Sequence, residues 1–188
     1  MMNKKMIGAA LFCLPSFAFA HPGHGESFLS AFAHPFTGVD HLLMMLCVGI
    51  FAGRIGGSAR WQLPLAFLSA MAIGWLSAVA GLTFGAIESG IAAGLIALGV
   101  MFLLQITMPF AIQLSVVAIF AALHGLAHGT ELSGSAPIAT GIGMLAATAL
   151  LHGLGLVIAN LLSKTNVNIY REMGALLTVV GSALLIAA

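Results

Sequence analysis

Six apolar segments, each long enough to be read as a membrane crossing, follow one another along this chain with almost no charge between them. About 30 Å of hydrocarbon takes roughly 20 helical residues at 1.5 Å each. A helix is also the element that satisfies its own backbone polar groups in lipid. The segments fall near residues 39–53, 63–84, 89–106, 110–128, 137–162 and 172–188. Pro35 restricts the residue before it and is expected to end a separate short helix over 27–33. The chain is 61% hydrophobic and 6% charged, where a soluble domain carries about 25% charged residues. The expectation is therefore an all-α membrane protein, a polytopic bundle of about six transmembrane helices forming a single domain over residues 21–188. A net charge of +1 argues against a nucleic-acid partner, which needs a basic face.

Residues 1–20 have the form of a cleaved secretory signal. Lys4 and Lys5 make a basic start, Met6 to Leu14 a short apolar run, and Ala18-Phe19-Ala20 a small-x-small cleavage site. Cleavage there exposes His21 as the new N-terminus. It also leaves Cys47 as the one cysteine of the mature chain, which excludes an internal disulfide. Outside the leader the basic residues are Arg54, Arg60, Lys164 and Arg171. With six spans, they fall between spans one and two and between spans five and six, on one side. The positive-inside rule makes that side cytoplasmic, so both mature termini are expected outside. A cleaved signal demands the same orientation.

That topology gathers six of the seven histidines on the outer side, with Asp40, Glu88 and Glu131. Ionisable groups in lipid are costly, roughly 2.5–3.5 kcal/mol at a helix centre on insertion scales, and mark function. The first cluster is His34-Pro35-Phe36-Thr37-Gly38-Val39-Asp40-His41. Proline and glycine bend the chain before the span, so His34 can fold back toward Asp40 and His41. Two imidazoles and a carboxylate suit a borderline divalent metal such as zinc, copper or nickel. Asp40 either ligates or orients a ligand histidine from behind. Met44 and Met45 each follow a cluster member by one turn, where a thioether is more often core filling than ligand.

The second cluster is His124-Gly125-Leu126-Ala127-His128-Gly129-Thr130-Glu131. Residues 124, 128 and 131 share one helical face, and the two glycines admit a neighbouring helix closely. His152 lies deeper, about two-thirds through span five, as a transient ligand, a proton carrier or a simple interhelical hydrogen bond. Cys47 is more often a small buried hydrophobe than a ligand. At a cleaved N-terminus, the amine and imidazole of His21 would chelate together, with His24 as a third nitrogen.

These two clusters resemble the paired signatures of the HupE/UreJ family of small nickel permeases. The patterns His-Pro-x-x-Gly-x-Asp-His and His-Gly-x-Ala-His-Gly-x-Glu are both met in full, at 34–41 and 124–131, and the resemblance spans the mature chain. The larger nickel–cobalt permeases are less similar, with four residues between the His and the Asp-His pair where this chain has five. The resemblance implies uptake of Ni²⁺, in some members Co²⁺, for hydrogenase or urease maturation. Zn²⁺ also suits the ligands. The residues themselves point to a site of His34, Asp40, His41, His124, His128 and Glu131, with capture by His21 and His24 and hand-over by His152. No organic cofactor is expected. Glycine pairs such as Gly90 and Gly94 permit tight helix contacts, within the bundle or in a homo-oligomer.

Two other classes use the same residues. An intramembrane zinc metalloenzyme would take Glu131 as general base on an activated water. A sensor or scaffold would bind metal without moving it. Import needs no ATPase, since a divalent ion gains about 4.6 kcal/mol across 100 mV. Ligand histidines must be neutral to bind metal, and free imidazole protonates in the range near pH 6–6.5. Metal uptake by cells at fixed membrane potential is therefore expected to fall as pH drops below about 6. Uptake unchanged at pH 5 would argue against histidine ligation.

Overall fold

The computed structural model describes residues 27–106, 108–132, 136–163 and 168–188. The expected leader, His21, His24 and Lys164 lie outside them. Every described element is helical: α1 (Phe28–Ala33), a 3₁₀ turn (His34–Phe36), α2 (Val39–Ile55), α3 (Ala59–Val79), α4 (Ile87–Leu103), α5 (Phe110–Glu131), α6 (Pro137–Leu162) and α7 (Asn168–Ala187). All six expected segments are thus helices. Among the described residues α3, α5, α6 and α7 are long and apolar enough to cross a membrane, and the bent pair of α1 and α2 supplies a fifth crossing if it is one broken span. At 17 residues, α4 is a shorter apolar helix.

The start of the chain is shaped by local chemistry. Ser27 and Ser30 form a reciprocal capping box at the start of α1. Pro35 converts the next turn to 3₁₀, and Thr37 closes it by donating N–H and hydroxyl to the His34 carbonyl at 2.9 and 2.7 Å. Gly38 then takes an extended conformation and starts α2. The two segments meet at 81°, which turns His34 back over the first turn of α2.

Two boundaries differ from expectation for clear reasons. Helix α3 begins at Ala59 rather than 63, because Arg60 and Gln62 lie in its solvated first turns. It runs through Pro64, which forfeits one backbone bond near the helix start. It ends at Val79, since Gly81 at φ 95° turns the chain back. Arg54 and Arg60 are also not loop residues. Arg54 sits in the last turn of α2, where its guanidinium donates to Gln105 and lies 5.0 Å from the Tyr170 ring centre. Arg60, in the first turn of α3, donates to Asn160.

The helices associate mainly in three pairs, α3 with α5, α4 with α7, and α2 with α6. Each pair is seated on glycines where the backbones touch. A methyl on Gly125 would strike the Met71 carbonyl, and one on Gly74 the Ala122 carbonyl. On the α2–α6 seam, Gly49 meets the His152 carbonyl and Gly155 the Leu46 carbonyl. Small residues at helix contacts let dispersion act over a close interface in a solvent as apolar as the protein. The resulting bundle has two chemically distinct ends. Arg54, Arg60 and Arg171 gather at one end, and His34, Asp40, Glu88 and Glu131 at the other.

A side chain at Gly125 must push two backbones apart. Gly125→Val is expected to destabilise by about 1–3 kcal/mol, a drop in Tm of roughly 2–4 °C per kcal/mol for a chain this size. Gly153, with nothing within 4 Å of an added Cβ, should accept Ala without change. Thermal melts of the two purified variants in detergent would show the contrast.

Candidate metal centre

Three elements bring their imidazoles to one place. His34 comes from the 3₁₀ turn, His41 from the first turn of α2, and His124 and His128 from the last turns of α5. Ring centres are 4.5 Å apart for His41 and His128, 5.0 Å for His34 and His128, 5.6 Å for His34 and His41, and 5.2 Å for His41 and His124. One nitrogen from each of His34, His41 and His128 lies within 4.8 Å of the others. Nitrogen ligands of a single ion, bonded at about 2.0–2.1 Å, sit roughly 3–4 Å apart. The trio is therefore within a small inward shift of a coordination geometry.

Hydrogen bonding fixes which nitrogen faces the centre. His41 Nδ1 donates to Asp40 Oδ1 at 2.8 Å, so its Nε2 presents a lone pair. His124 Nδ1 donates to the Phe120 carbonyl at 2.8 Å, with the same result. The Nε2 atoms of His41 and His124 and both ring nitrogens of His128 are buried without a partner among the described residues. Buried polar atoms are nearly always satisfied, so four unpartnered nitrogens in one cluster are free to serve a ligand. The carboxylate–imidazole arrangement of Asp40 and His41 is the one that orients metal-binding histidines from behind. Gly38 is required for it. A Cβ there would stand 2.9 Å from Asp40 Oδ1 and 3.1 Å from His41 Nδ1.

The other expected residues occupy distinct places. Glu131 lies 3.4 Å from His34 Nε2, and this pair is the open rim, with side chains 44% and 30% exposed. Asp40 and Glu88 line a cavity of about 230 Å³ beside the C-terminal end of α7. Glu88 was legible as an acidic residue on this side but not as a neighbour of Asp40. His152 stands apart from the trio. Its Nδ1 donates to the Met45 carbonyl at 2.6 Å, and its Nε2 is buried and unpartnered among the described residues. Phe67 separates it from the rest, with its ring centre 5.8 Å from His124 and 4.9 Å from His152. Nothing in an apolar run singles out such a phenylalanine. Cys47 is buried in the apolar core.

The model of the family described as HupE / UreJ protein matches residues 9–184. The chain belongs to the HupE/UreJ family. It is also 38% identical over 181 residues to Protein HupE of Rhizobium leguminosarum bv. viciae, covering 94% of each chain. No solved structure matches it significantly. HupE/UreJ proteins are multi-pass membrane proteins that transport metal ions and are not enzymes. The metalloenzyme reading therefore falls away.

Asp40→Asn keeps the shape of the carboxylate while weakening the acceptor that fixes His41. Loss of such a partner costs about 10–100-fold in metal affinity. Titration of purified protein with Ni²⁺ against a chromophoric chelator should show that loss, and His41→Ala a larger one. Equal affinity for wild type and Asp40→Asn would show that Asp40 does not position the ligand.

Proposed function

We propose that this HupE/UreJ protein is a permease that imports Ni²⁺ across the cytoplasmic membrane, with Co²⁺ as the nearest alternative cargo. The observation that carries this reading is the convergence of His34, His41 and His128, ring nitrogens facing one another, at the end opposite the arginines. In this reading the six apolar helices all cross, with α1 and α2 as one broken span. The leader is cleaved, the histidine end faces out, and residues 21–188 act as one transport domain. His21 and His24 capture the ion at the surface. Asp40, Glu88 and Glu131 draw it to the rim by charge.

The ion then exchanges water for imidazole nitrogen at His34, His41 and His128. His124, one turn deeper on α5 and beside His41, takes it next. His152 receives it beyond Phe67. The membrane potential favours inward movement of a divalent ion by about 4.6 kcal/mol per 100 mV. Neutral imidazoles suit a borderline ion and discriminate against Mg²⁺ and Ca²⁺, which prefer oxygen. Downstream, the ion would supply hydrogenase or urease maturation.

The test is cellular nickel, measured by mass spectrometry, in a bacterial host deficient in nickel uptake. Wild type should accumulate nickel. Asp40→Ala and His128→Ala, at equal membrane abundance, should stay at the host baseline. A correctly inserted wild type that accumulates neither nickel nor cobalt would sink the permease reading.

A further inference from the structure

We infer that a second binding station for the transported ion lies where α2, α3 and α6 meet, built from the thioethers of Met45 and Met71, the hydroxyl of Thr148 and Nε2 of His152. It rests on the import reading above and adds a soft-ligand stage that the histidine motifs do not contain.

Thr148 is fully buried. Its Oγ1 lies 2.9 Å from the Met144 carbonyl, 3.2 Å from Met45 Sδ and 3.8 Å from Met71 Sδ. A hydroxyl has one proton. The carbonyl one turn back is the stronger acceptor and takes it, as threonines in helices commonly arrange. The lone pairs of Oγ1 then face two thioether sulfurs, which are acceptors as well. One turn along α6, His152 uses its proton on the Met45 carbonyl and is left with a lone pair at Nε2.

Thr148 Oγ1 and the sulfurs of Met45 and Met71, from three helices, thus meet in the core, with the unpartnered Nε2 of His152 one turn along α6, and none of them has a proton to offer the others. A water could donate to only two of them. A cation satisfies all of them at once. The spacing also fits. Bonds of about 2.1 Å to oxygen and 2.3 Å to sulfur put neighbouring ligands roughly 3.1 Å apart at a right angle and roughly 3.6 Å apart at the tetrahedral angle. The Met45 separation of 3.2 Å falls inside that interval, and the Met71 separation of 3.8 Å lies about 0.2 Å beyond it.

The ligand set states what it would take. Thioether and imidazole suit a soft or borderline transition ion and repel the hard cations, which demand oxygen. Phe67 lies between this station and His124, so an ion meets imidazoles first and sulfur second. Mg²⁺ that slipped past the first stage would find a single oxygen at the second.

The competing account is that these methionines only fill space. Leucine fills nearly the same volume, usually at a cost under about 1.5 kcal/mol, and has no lone pair. The experiment is equilibrium dialysis of the purified full chain against NiCl₂, with nickel X-ray absorption on the same samples. Wild type should show a sulfur shell at roughly 2.3–2.4 Å beside its nitrogen shell. Met45→Leu/Met71→Leu should lose that shell and bind one ion fewer per chain, with a several-fold slower uptake in cells. His128→Ala should lose an ion and keep the sulfur shell. A wild type with no sulfur shell, or a double variant that keeps every ion, overturns the proposal. If uptake fails in cells while the sulfur shell is present and Met-dependent, the import reading falls and the station stands. If uptake depends on His128 and no sulfur is seen, only the station falls.

Discussion

Everything distinctive in this molecule depends on how an imidazole is satisfied where water is scarce. A neutral ring has one N–H and one lone pair, and burying either alone is costly. His41, His124 and His152 each spend the N–H at Nδ1 on a fixed acceptor: a carboxylate, a carbonyl of their own helix, and a carbonyl of a neighbouring helix. That choice sets the tautomer and leaves Nε2 as the exposed valence of each ring. The three rings then differ only in depth. In the proposed reading, a divalent ion would be offered the same atom type repeatedly, at sites more open than a closed structural zinc site.

The acceptors can be placed so tightly because the helices nearly touch. Gly125 and Gly129 alternate with His124 and His128 on α5, and both glycines lie against α3 at Met71, Trp75 and Ala78. One eight-residue motif therefore does two jobs. Its glycines seat α5 on α3, and the same seating turns the histidines toward α2. On the other seam, Gly49 and Gly155 bring α2 and α6 so close that the His152 ring reaches a backbone carbonyl of α2. A bulkier residue at any of these glycines would lengthen the distances that the imidazoles need.

The sequence made the helices and the histidine cluster legible for a physical reason. Apolar runs and polar exceptions are both local signals. The bend at Pro35 and Gly38 was readable because its chemistry is confined to a few residues, whereas the contact of Asp40 with His41 Nδ1 came only from the structure. Helix ends were less readable. Arg54 belongs to a helix because Gln105 and Tyr170, far along the chain, give its guanidinium partners at that depth. The meeting of Met45, Met71, Thr148 and His152 was invisible for the same reason. It depends on the mutual register of three helices, and a thioether in an apolar run carries no local mark. Phe67 is the extreme case, since its position between two histidines comes only from how α3 packs.

The two ends of the bundle are not equivalent in access. At the histidine end the rim residues His34 and Glu131 are partly open, and a cavity reaches Asp40 and Glu88. At the other end Arg54 ties α2 to the chain after α4 and stacks on α7, while Arg60 ties α3 to α6. An ion held at the cluster thus has solvent on one side and, on the other, Phe67, the α2–α6 seam and two anchored guanidinium groups. Each guanidinium repels a cation and is itself held by a neutral amide rather than a carboxylate. Such a partner fixes its position without cancelling its charge. Hydrogen bonds to neutral amides yield more cheaply than buried ion pairs.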